Sequence, residues 1–132
     1  MSSTFNARNA AAYEHFMGRW SRQLSARFVE FAGISDGDCI LDVGCGTGSL
    51  TGVLSESTGV KSIVGIDLAE VYLESARQTI QDTRVSFKVG DATSLPFADK
   101  SFDRAFSMLV LQLYITASPP TIKMRPQIVL NR

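Results

Sequence analysis

The chain has 132 residues, 45% hydrophobic and 20% charged, with 13 acidic and 13 basic side chains. That is the size and balance of one globular domain with a core of its own. Formal neutrality argues against nucleic acid or an anionic membrane as the main partner, because either demands a basic excess. The longest apolar run, Ala105 to Ile115, is too short to cross a bilayer and is interrupted by Gln112. The N-terminal MSSTFNARNAAAYEHF lacks the apolar centre of a signal peptide. Cys39 and Cys45 have no CxxC partner and no histidine cluster, which argues against a metal site or a disulfide framework and makes the cytoplasm the expected location.

The first element is expected to be helical. Phe16, Trp20, Leu24 and Phe28 recur four residues apart, joined by Val29 and Phe31, and Gly33 suits the C-cap. This periodicity assigns Trp20 to the core and leaves His15, the only histidine, on a solvated stretch. SDGD (Ser35–Asp38) reads as a turn, and CILDV after it has the short apolar shape of a strand buried on both faces. From Ser49 the period changes, with Leu50, Val53 and Leu54 on one helical face until Gly59. SIVGID (Ser62–Asp67) is a second strand. AEVYLESARQTIQD is a further helix, with Val71, Tyr72, Ala76 and Ile80 on roughly one side. RVSFKV (Arg84–Val89) is a third strand, GDATSLPFADKS a loop, and Phe102 to Val110 a fourth, strongly apolar strand. Strands and helices in this alternation give an α/β fold with a parallel sheet and right-handed crossovers.

In such a sheet ligands bind beyond the carboxyl ends of the strands. DVGCGTG lies at that edge of the first strand, where Gly44, Gly46 and Gly48 permit positive φ and let main-chain atoms touch a ligand. Asp67 closes the second strand about 20 residues later, where a carboxylate accepts from two ribose hydroxyls; the alternative is a cap for the helix beginning near Ala69. Asp91 follows the third strand, where it can accept from an exocyclic amine while the Ala92 N–H meets a ring nitrogen; the alternative is an Asx-turn. Asp42, a charge inside an apolar strand, requires a polar cavity or the N–H groups of the loop as its partner. Four features on one edge, in order, favour a nucleoside site. A dinucleotide would need glycine or alanine where the frame Gly44-Cys45-Gly46-Thr47-Gly48-Ser49 has serine, and no P-loop lysine follows.

ILDVGCGTG, VGIDLAE and VGDATSLPFADKSFD, in this order and spacing, resemble the first three motifs of the class I S-adenosylmethionine-dependent methyltransferases. The likeness is greatest to the small-molecule enzymes of the methyltransferase type 11 and ubiquinone/menaquinone methyltransferase kind, and covers roughly Tyr13 to Leu113. The resemblance implies a Rossmann-like, partly parallel sheet with flanking helices, S-adenosyl-L-methionine as cofactor and S-adenosyl-L-homocysteine as product. It implies that Gly44, Cys45 and Gly46 pack against the methionine and ribose of the cofactor, with Asp42 ordering that loop near the amino group. Asp67 would take the ribose hydroxyls, Leu68 would lie on the adenine face, and Asp91 and Ala92 would read the adenine edge. Ser107 and Met108 would flank the sulfonium and its amino-acid tail. YEHFMGRWSR resembles the family's N-terminal lid, in which Tyr13 and Arg22 close over the cofactor carboxylate. No catalytic residue and no metal ligand is assigned.

The implied organisation is a helical lid segment (residues 1–34), an S-adenosylmethionine-binding α/β domain (35–114) and an atypical tail (115–132). The family's sheet has strand order 3-2-1-4-5-7-6, and LYITASPPTIKMRPQIVLNR departs from its second half. The tail has the character of a truncated or frame-shifted end, or of a partial domain. Ala105–Val110 would then lie at a sheet edge, open to self-association, unless QIVL (Gln127–Leu130) adds a stub strand beside it. The expected function is methyl transfer to a small molecule, with cofactor binding better preserved than turnover. The alternatives are a non-catalytic fragment that binds the cofactor or a partner and, behind it, a fragment of an NAD-dependent dehydrogenase.

Overall fold

The computed structural model describes residues 15, 18–98, 100–108 and 128–131, the last four as backbone. Helix α1 spans Arg19–Ala32 and ends at Gly33, whose φ of 59° is the left-handed cap that glycine adopts without strain. It is followed by β1 (Cys39–Val43), α2 (Ser49–Ser57), β2 (Ser62–Asp67), α3 (Glu70–Thr79), β3 (Val85–Val89), β4 (Arg104–Met108) and β5 (Ile128–Asn131). The sheet order is β3-β2-β1-β4-β5, and every pairing is parallel. The order turns back between β2 and β4, on either side of β1, which places a ligand crevice at the carboxyl end of β1.

Apolar residues alternate between the two faces of the sheet. Ile40, Ile63, Phe106 and Met108 face the helices, where they pack on Phe28 of α1 and on Leu50 and Leu54 of α2. Leu41, Val43, Ile66 and Ala105 face the other way, against Ala92 and Phe102, with Leu95 and Phe97 beside them. Two arginines fix the ends of elements. The Arg104 guanidinium pairs with Asp38 at 2.8 Å and donates to the Ala32 carbonyl at 2.8 Å, fastening the C-terminus of α1 to the start of β4. The Arg84 guanidinium donates to the carbonyls of Ser55 (2.6 Å), Thr58 (3.1 Å) and Val60 (3.2 Å), which satisfies acceptors that the end of α2 would leave open.

Two expectations are corrected here. Trp20 is 69% exposed, and Phe31 is exposed as well; α1 faces the sheet with Ser21, Ser25 and Phe28 instead. A helix carrying small side chains lies closer to a sheet than one carrying indole rings; Phe28 packs edge-on to Phe106 at 5.3 Å, with Leu24, Val29 and Ala32 against the same cluster. Strand β4 is not an edge either. Ala105 to Met108 pair with Ile128 to Asn131, so the stub strand forms and the open edge passes from β4 to β5. Phe16, Leu109, Val110 and most of the tail lie outside the described residues.

Gly65 in β2 is where the sheet accommodates the loop above it. A Cβ at this position would fall 2.7 Å from the Phe87 ring and 2.8 Å from the Cys45 sulfur. Gly65→Ala is therefore expected to destabilise the domain by about 1–3 kcal/mol through overpacking, measured as a lower midpoint in chemical denaturation.

Candidate cofactor-binding site

The site is built from three turns that leave the carboxyl ends of β1, β2 and β3. At the first, Gly44, Gly46 and Gly48 have φ of 70°, 57° and 90°, a path that side chains resist. The loop is fastened to β2. The Ile66 carbonyl accepts from the N–H groups of Gly44 (2.7 Å) and Cys45 (3.1 Å), and the Asp67 carboxylate accepts from Gly46 N–H at 2.9 Å. The other Asp67 oxygen accepts from Ala69 N–H at 2.9 Å, where α3 begins. Asp67 thus serves both the loop and the helix entry, one oxygen each. A carboxylate has about four lone-pair sites, so it keeps acceptor capacity toward a ligand. Leu68 next to it is 57% exposed, an apolar side chain standing at the carboxyl edge.

Asp42 lies 1% exposed in β1, on the helix side of the sheet, opposite Gly65 and Phe106. Its partner is the Thr51 hydroxyl of α2, which donates at 2.7 Å. Spacing did not single out Thr51; the available signal was a hydroxyl on the otherwise apolar face of α2, between Leu50 and Leu54. Burial pushes the Asp42 carboxyl from its ordinary 3.8 up to about 7, and the nearby Asp67 charge adds to the rise, against the hydrogen bond from Thr51. Cys45 is buried, its side chain turned down toward Gly65 and Phe87, so this residue can meet a ligand only through its backbone. Burial, then Asp42 and Asp67, push its thiol well above the ordinary thiol range, which removes it as a nucleophile at neutral pH.

At the third turn the Asp91 carboxylate accepts from the Thr93 N–H (2.8 Å) and hydroxyl (2.7 Å), an Asx-turn that holds its carboxyl below the usual range. The turn accounts for one oxygen of Asp91, and Ala92 turns its methyl into the core. Ser107 and Met108 are both buried but point to opposite faces. The Met108 sulfur lies 3.6 Å from the Ser25 hydroxyl, under α1, and Ser107 is on the other side. Arg22 lines a groove of about 460 Å³ with Thr47, Gly48 and Ser49 at the N-terminus of α2. Tyr13 lies outside the described residues, and His15 is exposed. No group of three or more metal-ligating side chains occurs among the described residues.

The sequence matches the methyltransferase domain family over residues 40–123, more than half of the chain, and the chain belongs to that family. It is 40% identical over 93 residues to erythromycin 3''-O-methyltransferase of Saccharopolyspora erythraea, covering 67% of this chain and 30% of the relative. It is 34% identical over 107 residues to demethylmenaquinone methyltransferase of Lactococcus lactis subsp. lactis, covering 78% of this chain and 41% of the relative. Among solved structures, the chain in complex with the Haloferax volcanii Trm112 methyltransferase activator superposes with a TM-score of 0.78 at 25% identity, over 98% of this chain and 59% of that one. The [4+2]-cyclase SpnF superposes with a TM-score of 0.59 at 33% identity, over 66% of this chain and 33% of that one. The chain therefore spans well under half the length of the curated relatives it matches.

The raised carboxyl of Asp42 makes a pH prediction. Below about pH 4 both folded and unfolded chains hold this proton, and above about pH 7 neither does. In between only the folded chain holds it, so the Asp42 contribution to stability falls as pH rises through this window. In Asp42→Asn that slope is expected to be absent. Denaturation midpoints from pH 4 to 8 should show wild type losing ground to the variant up to about pH 7, with the difference between them constant beyond.

Proposed function

We propose that the domain binds S-adenosyl-L-methionine at the carboxyl edge of β1, β2 and β3, and that the protein transfers its methyl group to a small-molecule acceptor. The observation that carries this reading is the glycine loop fastened by Asp67, with Asp91 at the next strand end. The fit is one of shape and charge. Gly44 and Gly46 bring bare backbone to the edge, Leu68 offers an apolar face for a base, and Asp42 and Asp67 provide negative charge for a cationic cofactor. Asp67 would take the ribose hydroxyls with the lone pairs that Gly46 and Ala69 leave. Asp91 and the Ala92 N–H would read the adenine edge, and Met108 and Ser107 would close the site from β4. In this assignment residues 1–34 form the lid, 35–114 the cofactor domain and 115–132 a tail.

When bound, the cofactor supplies a methyl group already activated as a sulfonium. The work left to the chain is to orient that group for in-line attack and to exclude water, effects that reach about 7–11 kcal/mol where both reactants are held. We assign a small-molecule acceptor because the relatives named for their reactions are an erythromycin and a demethylmenaquinone methyltransferase. The pairing of β4 with β5 argues against self-association through β4. No helix among the described residues is long and apolar enough to cross a membrane; together with the free Cys39 and Cys45 this supports a cytoplasmic location. A second reading has its own observation. SpnF shares the fold at 33% identity and is a [4+2]-cyclase, so the same scaffold serves chemistry other than methyl transfer.

Calorimetry with S-adenosylhomocysteine is expected to show binding, with a matching rise in melting temperature, and NAD is expected to bind far more weakly. No response to S-adenosylhomocysteine at millimolar concentration, in a folded sample, would remove the cofactor assignment, and preference for NAD would replace it with the dehydrogenase reading. Asp67→Ala should cost about 1–3 kcal/mol of affinity. A labelled-methyl transfer assay over a panel of small acceptors tests the second reading: transfer to any acceptor favours the methyltransferase over the cyclase-like reading.

A further inference from the structure

Two open surfaces lie on the same side of the domain. The first is a flank of α1, where Trp20 is 69% and Phe31 82% exposed. At about 100° per residue, two residues eleven apart return to within about 20° of each other, so both rings share one line along the helix. Leu24 stands between them, half-buried. Ser21, Ser25 and Phe28, which meet the sheet, lie about a quarter turn away, and Arg22, which lines the groove beside α2, about a half turn away. The aromatic flank therefore points along the sheet and away from α2.

The second surface is the edge of the sheet. Leu50 and Leu54 of α2 cluster with Ile40 of β1 and Ile63 of β2, whereas α1 lies on Phe106 and Met108 of β4. In the order β3-β2-β1-β4-β5, away from α2 means toward β5, whose outer side pairs with no strand among the described residues. An open strand edge beside an exposed apolar flank suits a partner that extends both layers at once.

A single two-fold axis supplies such a partner. Helix α1 runs antiparallel to β4, because the Ala32 carbonyl meets Arg104, Phe28 meets Phe106 and Ser25 meets Met108. Phe106 and Met108 pair in turn with Val129 and Asn131, so the midpoint between Trp20 and Phe31 falls beside Leu130. An axis through this point, perpendicular to the sheet, sets β5 antiparallel to a second β5 and α1 antiparallel to a second α1. With strands about 4.8 Å apart, the two β4 strands and the helices above them stand about 14 Å apart. That exceeds the roughly 8–10 Å of ordinary helix pairs, and an indole facing a phenyl ring fills the difference. Trp20 of one copy meets Phe31 of the other, and the contact occurs twice. Aromatic rings at both ends of the flank make it complementary to itself, as an isologous interface requires.

We propose that the protein forms a two-fold dimer in which β5 pairs with β5 and the Trp20–Phe31 flank of α1 packs on its own copy. Four rings of about 150–250 Å² each, with the strand pairing, reach roughly 1,000 Å², the lower end for a specific interface, which makes the dimer a micromolar one. Arg27 is exposed in the same row near the axis, and the like charges of its two copies hold the affinity down.

Sedimentation velocity of the 132-residue chain from about 1 to 200 µM, at near-physiological salt, tests this. Trp20 is the only tryptophan, so its emission reports the interface directly and is expected to shift to the blue as the dimer forms. Hydrogen exchange in Ile128–Asn131 is expected to slow over the same concentrations. Trp20→Ser and Phe31→Ser are each expected to weaken the dimer about tenfold or more and to leave the melting temperature of the dilute protein unchanged, since both rings are exposed in the monomer. Arg27→Leu is expected to tighten it severalfold. Phe31→Ser carries the test alone if Trp20→Ser folds poorly. A monomer throughout the range overturns the proposal, and so does an open-ended oligomer, because the two-fold axis closes at two copies. A dimer with unchanged Trp20 emission, unchanged exchange in β5, indifference to Phe31→Ser or weakening by Arg27→Leu places the interface elsewhere and overturns it as well.

Discussion

The end of β2 is the anchor on which the site depends. Within two consecutive residues, the Ile66 carbonyl and the Asp67 carboxylate accept four backbone N–H groups, three from the glycine loop and one from the entry to α3. The loop leaves β1 with glycines at positive φ, a path with little preference of its own, and its shape is imposed by acceptors on the neighbouring strand. This explains why β1 and β2 must be adjacent and parallel in register, with Val43 opposite Ile66. Gly65 completes the arrangement from below by leaving room for the Cys45 side chain. Loop, strand and helix entry thus form one hydrogen-bonded unit.

That unit brings two carboxylates together, and the energetic consequence falls on Asp42. It is enclosed by the sheet and α2, with Thr51 as its donor, so its charge is opposed by burial and by Asp67. Asp67 has two backbone donors and is only partly buried. A cation at this edge would favour ionisation of Asp42. Acidic groups in an apolar strand are costly for stability alone; beside a cation the same groups become complementary.

Much of this arrangement was legible in the sequence because strands buried on both faces are short apolar runs with sharp ends. Cys39–Val43 and Ser62–Asp67 match the expected bounds, and the glycine loop and Asp67 fall where the motif places them. Asp91 illustrates a different case. Its position was legible, but the Asx-turn and the ligand role use the same carboxyl group, and the turn leaves one oxygen open to either reading. Helix α1 was misread for a physical reason. Hydrophobic periodicity weights Trp20 and Phe31 heavily, whereas close approach to the sheet selects Ser21 and Ser25, to which that periodicity is blind. The polar contacts between distant segments, Thr51 with Asp42 and Arg104 with Asp38 and Ala32, have no local signature at all.

The loop from Asp91 to Asp103 joins site and stability on the opposite face. Leu95 and Phe97 pack on a cluster that includes Leu41, Val43, Ile66 and Ala105, and Phe97 meets Phe102 edge-on at 5.0 Å. Asp103 closes the loop by accepting from the Cys39 N–H at 2.8 Å and donating its own N–H to the Cys39 carbonyl at 2.8 Å. Asp91 opens this same segment, so its place at the carboxyl edge is held from one end by the Gly90 N–H bond to the Asp67 carbonyl and from the other by apolar packing. The first strand-end turn is thereby fixed by β2, the second by the Asp67 carboxylate at the entry to α3, and the third by its Asx-turn together with the core beneath it. Contacts already made within the chain at all three turns lower the ordering cost that binding has to meet.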